Sequence, residues 1–127
     1  MKKFIKKWHG KGIQDDTIYT SEEFKSFARQ FFNAVKREFP GDEVVNRRTG
    51  HYYLSCFIKR GDKYVYVNLS VPRGEHPLDM SRRDAMGGIL IRRAKDEEDY
   101  TGGSNHFTNY FDFKSDVEGL FHIANPF

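Results

Sequence analysis

The feature of this sequence that most constrains its fold is a phenylalanine stripe. Phe24, Phe27, Ala28, Phe31, Val35 and Phe39 recur at three- and four-residue spacing and stop at Pro40-Gly41. At 3.6 residues per turn this spacing gathers the apolar side chains on one side of a helix, which must then be buried against another element. Thr20-Ser21-Glu22-Glu23 ahead of the stripe fits a capping box, and Lys36 and Arg37 in the last turn suit the helix dipole. A stripe of this kind reads as core, not as a cofactor box.

The residues after the stripe supply a surface for it. Strands are expected from Asp42 to Arg47, His51 to Lys59 and Lys63 to Val71. In the third, Val65, Val67, Leu69 and Val71 alternate with Tyr64, Tyr66, Asn68 and Ser70, the period-two pattern of a sheet with one buried face. The second alternates Tyr52, Leu54, Cys56 and Ile58 against Tyr53, Ser55, Phe57 and Lys59. Arg48-Thr49-Gly50 and Arg60-Gly61-Asp62 read as the turns of a meander. From Pro72 to Gly88 the pattern breaks, with one helical turn expected at Ser81-Arg82-Arg83-Asp84. Strands from Gly88 to Ala94 and His106 to Phe113 follow, joined by the long connection Lys95 to Asn105. A second capping box, Ser115-Asp116-Val117-Glu118, opens a short helix carrying Val117, Leu120 and Phe121. Hairpin-linked strands with helices at the chain ends predict an α+β domain. An antiparallel sheet of about five strands packs against an N-terminal amphipathic helix, with a short C-terminal helix. Twelve Phe and seven Tyr imply a core filled by rings.

A length of 127 residues fits one domain. The net charge of +3 is unevenly placed: residues 1–19 hold Lys2, Lys3, Lys6, Lys7 and Lys11 against Asp15 and Asp16, and the remainder balances. This predicts a basic N-terminal arm over 1–19 on a neutral domain over 20–127, suited to phosphate or to an acidic protein surface. The single cysteine, Cys56, rules out an intrachain disulfide framework and a Cys-rich zinc site, and points to a cytoplasmic setting. The start lacks the apolar run of a signal peptide, and no segment reads as a membrane span.

No catalytic motif stands out. His9, His51, His76, His106 and His122 are dispersed and lack metal-ligand spacing, so no metal and no cofactor are expected. Glu75, His76 and Asp79 converging with His106 would make a small histidine-dependent nuclease or phosphoesterase. His106-Phe107-Thr108 matches half of the paired His-x-Thr arrangement of two-histidine phosphoesterases, without a second copy. Thr101-Gly102-Gly103-Ser104-Asn105 is the one glycine cluster suited to wrapping an anion with backbone N–H groups, but it lacks the lysine and helix of a phosphate-binding loop. Cys56 reads as packing, and Arg60-Gly61-Asp62 as a hairpin turn and not an adhesion tripeptide.

The charge blocks carry more. Arg82-Arg83 and Arg92-Arg93 are paired arginines suited to bidentate contact with phosphate or carboxylate. Asp96-Glu97-Glu98-Asp99 is an acidic run able to occupy a protein groove meant for nucleic acid. With Lys2, Lys3, Lys6 and Lys7, and with Tyr53, Tyr64 and Tyr66 presented on the second sheet face, these are the candidate binding residues. They predict a non-enzymatic binding protein whose partner is nucleic acid or a nucleic-acid-binding protein. A third reading is a self-associating assembly module working through an open sheet edge or the tyrosine face.

In the Lys-rich start, the Phe24 to Phe39 helix, the aromatic strands and the Asp96 to Asp99 loop, the chain resembles the small orphan proteins of bacteriophages and conjugative elements, a group that includes anti-CRISPR proteins. The resemblance is one of kind, with no alignable motif, so no functional residue carries over. It implies stoichiometric inhibition of a host defence nuclease, or regulation of DNA transfer.

Overall fold

The computed structural model describes residues 1–8, 22–50, 53–70 and 89–127 of the chain. In order, the elements are helix α1 (Lys2–Trp8), helix α2 (Glu22–Glu38), strands β1 (Glu43–Gly50), β2 (Tyr53–Arg60), β3 (Lys63–Ser70), β4 (Ile89–Ala94) and β5 (His106–Thr108), and helix α3 (Phe113–Phe121). The strands form one antiparallel sheet in the order β1-β2-β3-β4-β5, and the domain is α+β. The expected turn at Ser81 to Asp84 and the capping residues Thr20 and Ser21 lie outside the described residues, as do Arg82 and Arg83.

Register decides which side chains share a face. Cys56 lies opposite Val67, and Val67 opposite Ile91; Leu54, Leu69 and Ile89 form the next row. These residues belong to one buried cluster with Phe27, Phe31, Val35 and Phe39 of α2 and Phe113, Val117, Leu120 and Phe121 of α3. Its rings meet edge-on, Phe113 lying 6.4 Å from Phe31 and 6.1 Å from Phe39 between centroids, within the range where aromatic pairs add to the gain from burial.

The first residues are anchored to this cluster. Phe4 of α1 is buried, with its ring 5.3 Å from Phe27 and 5.9 Å from Tyr110, and the Met1 amino group pairs with Glu38. Over Lys2–Trp8 the expected arm is therefore a helix held by an aromatic side chain, with Lys2, Lys3 and Lys6 exposed around it.

The second sheet face is not the open tyrosine surface that alternation suggested. Phe57, Tyr66 and Ala94 are buried there, with Val45, Tyr64, Leu90 and Tyr100 packed around them. The connection after β4 lays Tyr100 over the face, its ring edge-on at 5.3 Å from Phe57 and 5.7 Å from Tyr66. Tyr66 keeps 8% of its surface exposed, and Tyr53 and Tyr64 are half-buried.

Three boundaries differ from expectation for identifiable reasons. Arg48-Thr49-Gly50 belongs to β1, paired with Ser55, Leu54 and Tyr53, because a bulge between Val45 and Arg48 re-phases the strand. Asn46 in the bulge has φ 51°, a left-handed conformation that asparagine tolerates better than most residues. β5 spans three residues instead of reaching Phe113, since Asn109 Oδ1 accepts the backbone N–H groups of Phe111 and Asp112 and turns the chain. α3 then starts at Phe113, ahead of the Ser115 box, whose acidic residues are used elsewhere: Asp116 accepts from Thr108 Oγ1 at 2.6 Å and Glu118 from Arg60.

Arg60 ties three parts of the fold together. Its Nε and Nη2 donate to both oxygens of Asp42 at 2.8–3.2 Å, and Nη1 and Nη2 donate to Glu118 at 2.9 and 2.7 Å. Its guanidinium also sits 4.2 Å from the centroid of Phe121. The Gly61-Asp62 turn presents it there. Arg60 pairs with Lys63 across a two-residue loop, and Gly61 takes φ 60° at the first turn position.

Candidate nucleic-acid interface

The paired arginines of β4 do not form one site. Successive side chains on a strand point to opposite faces, so Arg92 and Arg93 serve different layers, and each is buried. Arg93 turns toward α3, where Nη1 donates to the carbonyls of Leu120 at 2.9 Å and Ile123 at 3.2 Å, satisfying groups at the helix C-terminus. Arg92 turns under the β4–β5 connection, 4.8 Å from the Tyr66 ring centroid. There Nη2 donates to the Asp99 carbonyl at 3.1 Å, Nη1 donates to the Gly102 carbonyl, and the Asp99 carboxylate lies 3.7 Å away.

Asp99 is the organiser of that connection. Its carboxylate accepts the backbone N–H groups of Lys95 and Gly102 at 2.9 Å each and of Thr101 at 3.4 Å. Burial pushes its carboxyl upward, but these N–H groups and the charge of Arg92 more than offset that and hold it below the ordinary aspartate range. The glycine cluster thus does wrap an anion with backbone N–H groups, and the anion is the chain's own. Asn46 of the β1 bulge fastens the same loop, donating from Nδ2 to the Glu97 carbonyl at 2.6 Å and to Tyr100 Oη at 2.7 Å, while Arg48 sits 4.7 Å from the Tyr100 centroid. Of the acidic run, Asp96, Glu97 and Glu98 remain exposed on a braced loop, and Asp99 does not.

The helical layer presents the opposite charge. On α2, Lys25, Arg29, Asn33 and Arg37 follow one another at four-residue spacing and are all exposed, on the side away from the phenylalanine stripe. α1 adds exposed Lys2, Lys3 and Lys6. The two helices enclose a shallow groove of about 140 Å³ lined by Lys3, Gln30, Asn33 and Arg37, with Phe4 as its floor. Among the side chains described on α1 and α2 the one carboxylate is Glu38, which is paired with the Met1 amino group. Lys7 lies on α1, but its side chain is outside the described residues.

Charge blocks along the sequence mark the α1 lysines but not Lys25, Arg29 and Arg37, which are spread over α2. Their signal was present: they are what remains on the helical wheel once the phenylalanine stripe is assigned to the core. Arg60 was missed for a different reason, since its partners Asp42 and Glu118 lie 18 and 58 residues away.

The residues of the alternative enzymatic reading are not brought together among those described. Glu75, His76 and Asp79 lie outside them, and His106 is exposed on β5 beside a cleft of about 320 Å³ that it shares with Ser115 and Asp116. No group of three His, Cys, Asp or Glu residues able to hold a metal ion occurs among the described residues. Cys56 is fully buried, and burial pushes its thiol up to about 12 despite the opposing charge of Arg47, leaving it protonated and inert at neutral pH. Among the described residues no helix is long and apolar enough to cross a membrane. Comparison of the chain with protein-family models, curated proteins and solved structures finds no match.

Proposed function

We propose that this chain is a non-enzymatic binding protein that contacts the phosphate backbone of nucleic acid through its α1–α2 layer. The observation that carries this reading is the exposed line Lys25, Arg29, Asn33 and Arg37 beside Lys3 across the groove. Cations and amides set along a rigid helix suit a polyanion, because each phosphate neutralised releases condensed counterions. The reading needs α2 to be rigidly seated on the sheet by Phe27, Phe31 and Val35, and it places the protein in the cytoplasm, for which a lone cysteine with no disulfide framework is suited. In a mobile-element context of the kind the chain resembles, the job would be that of an accessory protein in DNA transfer.

A second reading is favoured by the brace under the acidic loop. Arg92 and Asn46 hold Asp96, Glu97 and Glu98 in a fixed arrangement, and preorganised carboxylates suit the basic groove of a host nuclease that the chain would inhibit. The two readings fail in opposite mutants. Fluorescence anisotropy with labelled single-stranded and duplex DNA at two salt concentrations is expected to show salt-sensitive binding by the parent protein. Combining Lys3→Gln, Arg29→Gln and Arg37→Gln is expected to weaken it and to flatten the logarithmic salt slope by about 0.9 for each duplex phosphate no longer neutralised. Asp96→Asn with Glu97→Gln and Glu98→Gln is expected to leave DNA binding intact. No DNA binding by the parent, or binding indifferent to the helix substitutions, rejects the first reading. Loss of nuclease inhibition in the acidic-loop variant alone would establish the second.

A further inference from the structure

The bulge in β1 sets two adjacent arginines on the outside of the sheet. Val45 lies opposite Phe57 and Arg48 opposite Ser55, so Asn46 and Arg47 share the place facing Cys56. The extra residue, with Asn46 at φ 51°, bends the strand and re-aims the side chains that follow. Arg47 reaches the helical layer, its Cζ 5.8 Å from the Phe32 ring centroid, and Arg48 reaches the opposite face, its Cζ 4.7 Å from the Tyr100 centroid. Both are exposed. Arg60, Arg92 and Arg93 spend their N–H groups on carboxylates and carbonyls of the chain, whereas no hydrogen bond or ion pair engages Arg47 or Arg48 among the described residues. Each is a planar fork steadied by a ring, with its donors unused.

We propose that this edge seats a nucleotide of single-stranded nucleic acid, with its phosphate on Arg47 and its unpaired base stacked on Arg48. The inference rests on the reading of the chain as a nucleic-acid-binding protein, and adds the strand type and a seat outside the α1–α2 layer. Charge differs between the two sides of the edge and assigns the two groups. Beside Arg47, Phe32 is flanked on α2 by Arg29 three residues before it and Lys36 four after it, neighbours on one side of the helix. A phosphate drawn to these cations meets the Arg47 fork, which suits it bidentately. Beside Arg48, Tyr100 belongs to the loop that exposes Asp96, Glu97 and Glu98, with the Glu97 carbonyl held by Asn46. Those carboxylates repel a phosphate and leave a neutral base as the group suited to Arg48, whose guanidinium stacks on a base with one side and rests on Tyr100 with the other. In a duplex the bases stack on one another and offer Arg48 no face, so the seat takes an unpaired strand.

Charge-conserving variants test the seat. Arg47→Lys with Arg48→Lys keeps both positive charges and removes both planar forks. By fluorescence anisotropy with a labelled oligothymidine of about a dozen nucleotides, the double variant is expected to bind about tenfold more weakly than the parent, with the salt slope, circular dichroism and thermal midpoint retained. Its binding to duplex DNA is expected to match that of the parent. An abasic strand of the same length carries the phosphates without the bases and separates stacking from charge. Arg48→Lys alone is expected to weaken binding of oligothymidine and to leave binding of the abasic strand unchanged. Equal weakening of both strands by R48K, or a double variant that binds oligothymidine as the parent does, overturns the proposal. If that double variant binds normally while the combined Lys3, Arg29 and Arg37 variant does not, the seat falls and the α1–α2 reading stands. A parent that binds neither strand nor duplex overturns both.

Discussion

Arg92 and Asp99 show how a charged residue is used when the fold encloses it. Arg92 is 2% exposed and meets two carbonyls, one carboxylate and one ring, so removing it strands polar groups under the loop. Arg92→Leu is expected to cost about 2–4 kcal/mol and to raise amide exchange across Lys95 to Asn105 more than elsewhere; uniform exchange in denaturant-matched samples would contradict the brace. Gly103 in the same loop has φ 80°, and a Cβ there would lie 2.8 Å from the Arg93 carbonyl oxygen. Gly103→Ala is accordingly expected to destabilise by about 1–3 kcal/mol, read from the urea midpoint. Cys56, fully buried with its thiol pushed up to about 12, is expected to resist a thiol reagent at pH 8 in the native protein and to react fully in denaturant. The roles of these residues were not legible from the sequence. A double arginine or a run of four acidic residues gives the charge, but burial of the strand and closure of the loop decide whether that charge faces solvent or the protein itself.

Elements are legible in the sequence where their periodicity extends over several turns. The stripe from Phe27 to Phe39 marks α2 because spacing alone places those rings together, and Phe31, wholly buried, is expected to cost about 3–5 kcal/mol on truncation to alanine. An unchanged urea midpoint would remove α2 from the core. Short elements are not: β5 ends after three residues and α3 begins at Phe113, because Asn109 makes a local turn that a capping-box pattern does not register. The junction of Arg60 with Asp42 and Glu118 governs how these elements respond to acid. Hydrogen bonds from Arg60 hold the Glu118 carboxyl below its ordinary value, outweighing partial burial. A carboxyl depressed in the folded state stabilises fully above its unfolded value, about 4.3 for Glu, and loses that contribution as pH falls through the folded value. Glu118→Gln is therefore expected to be less stable than the parent at pH 7, with the gap closing below about pH 4. A gap of the same size at pH 3 would show that Glu118 acts through packing and not charge.

At the scale of the whole molecule, charge is segregated between a cationic helical layer and a carboxylate-bearing loop on the opposite side of the sheet. Both sheet faces are covered, the first by α2 and α3 and the second by Tyr100 and its loop, so the helical layer and the loop are expected to unfold in one transition. Coincident loss of near-ultraviolet and far-ultraviolet circular dichroism would check this, and two separate midpoints would divide the domain. The sequence by itself determined the α+β class, the succession of five strands along the chain and the phenylalanine face of α2, while the pairing of β4 with β3 came from the tertiary structure, because helical and strand periodicities are local properties of the chain and strand adjacency is not. Only the tertiary structure decided which charges lie at the surface: Arg92, Arg93 and Asp99 are enclosed, while Lys25, Arg29 and Arg37 are exposed on α2. That choice depends on contacts between residues far apart in the chain, such as Asn46 with Glu97 and Arg60 with Glu118. Exposure is a property of packed layers, and no local pattern encodes which face of a strand a later loop will cover.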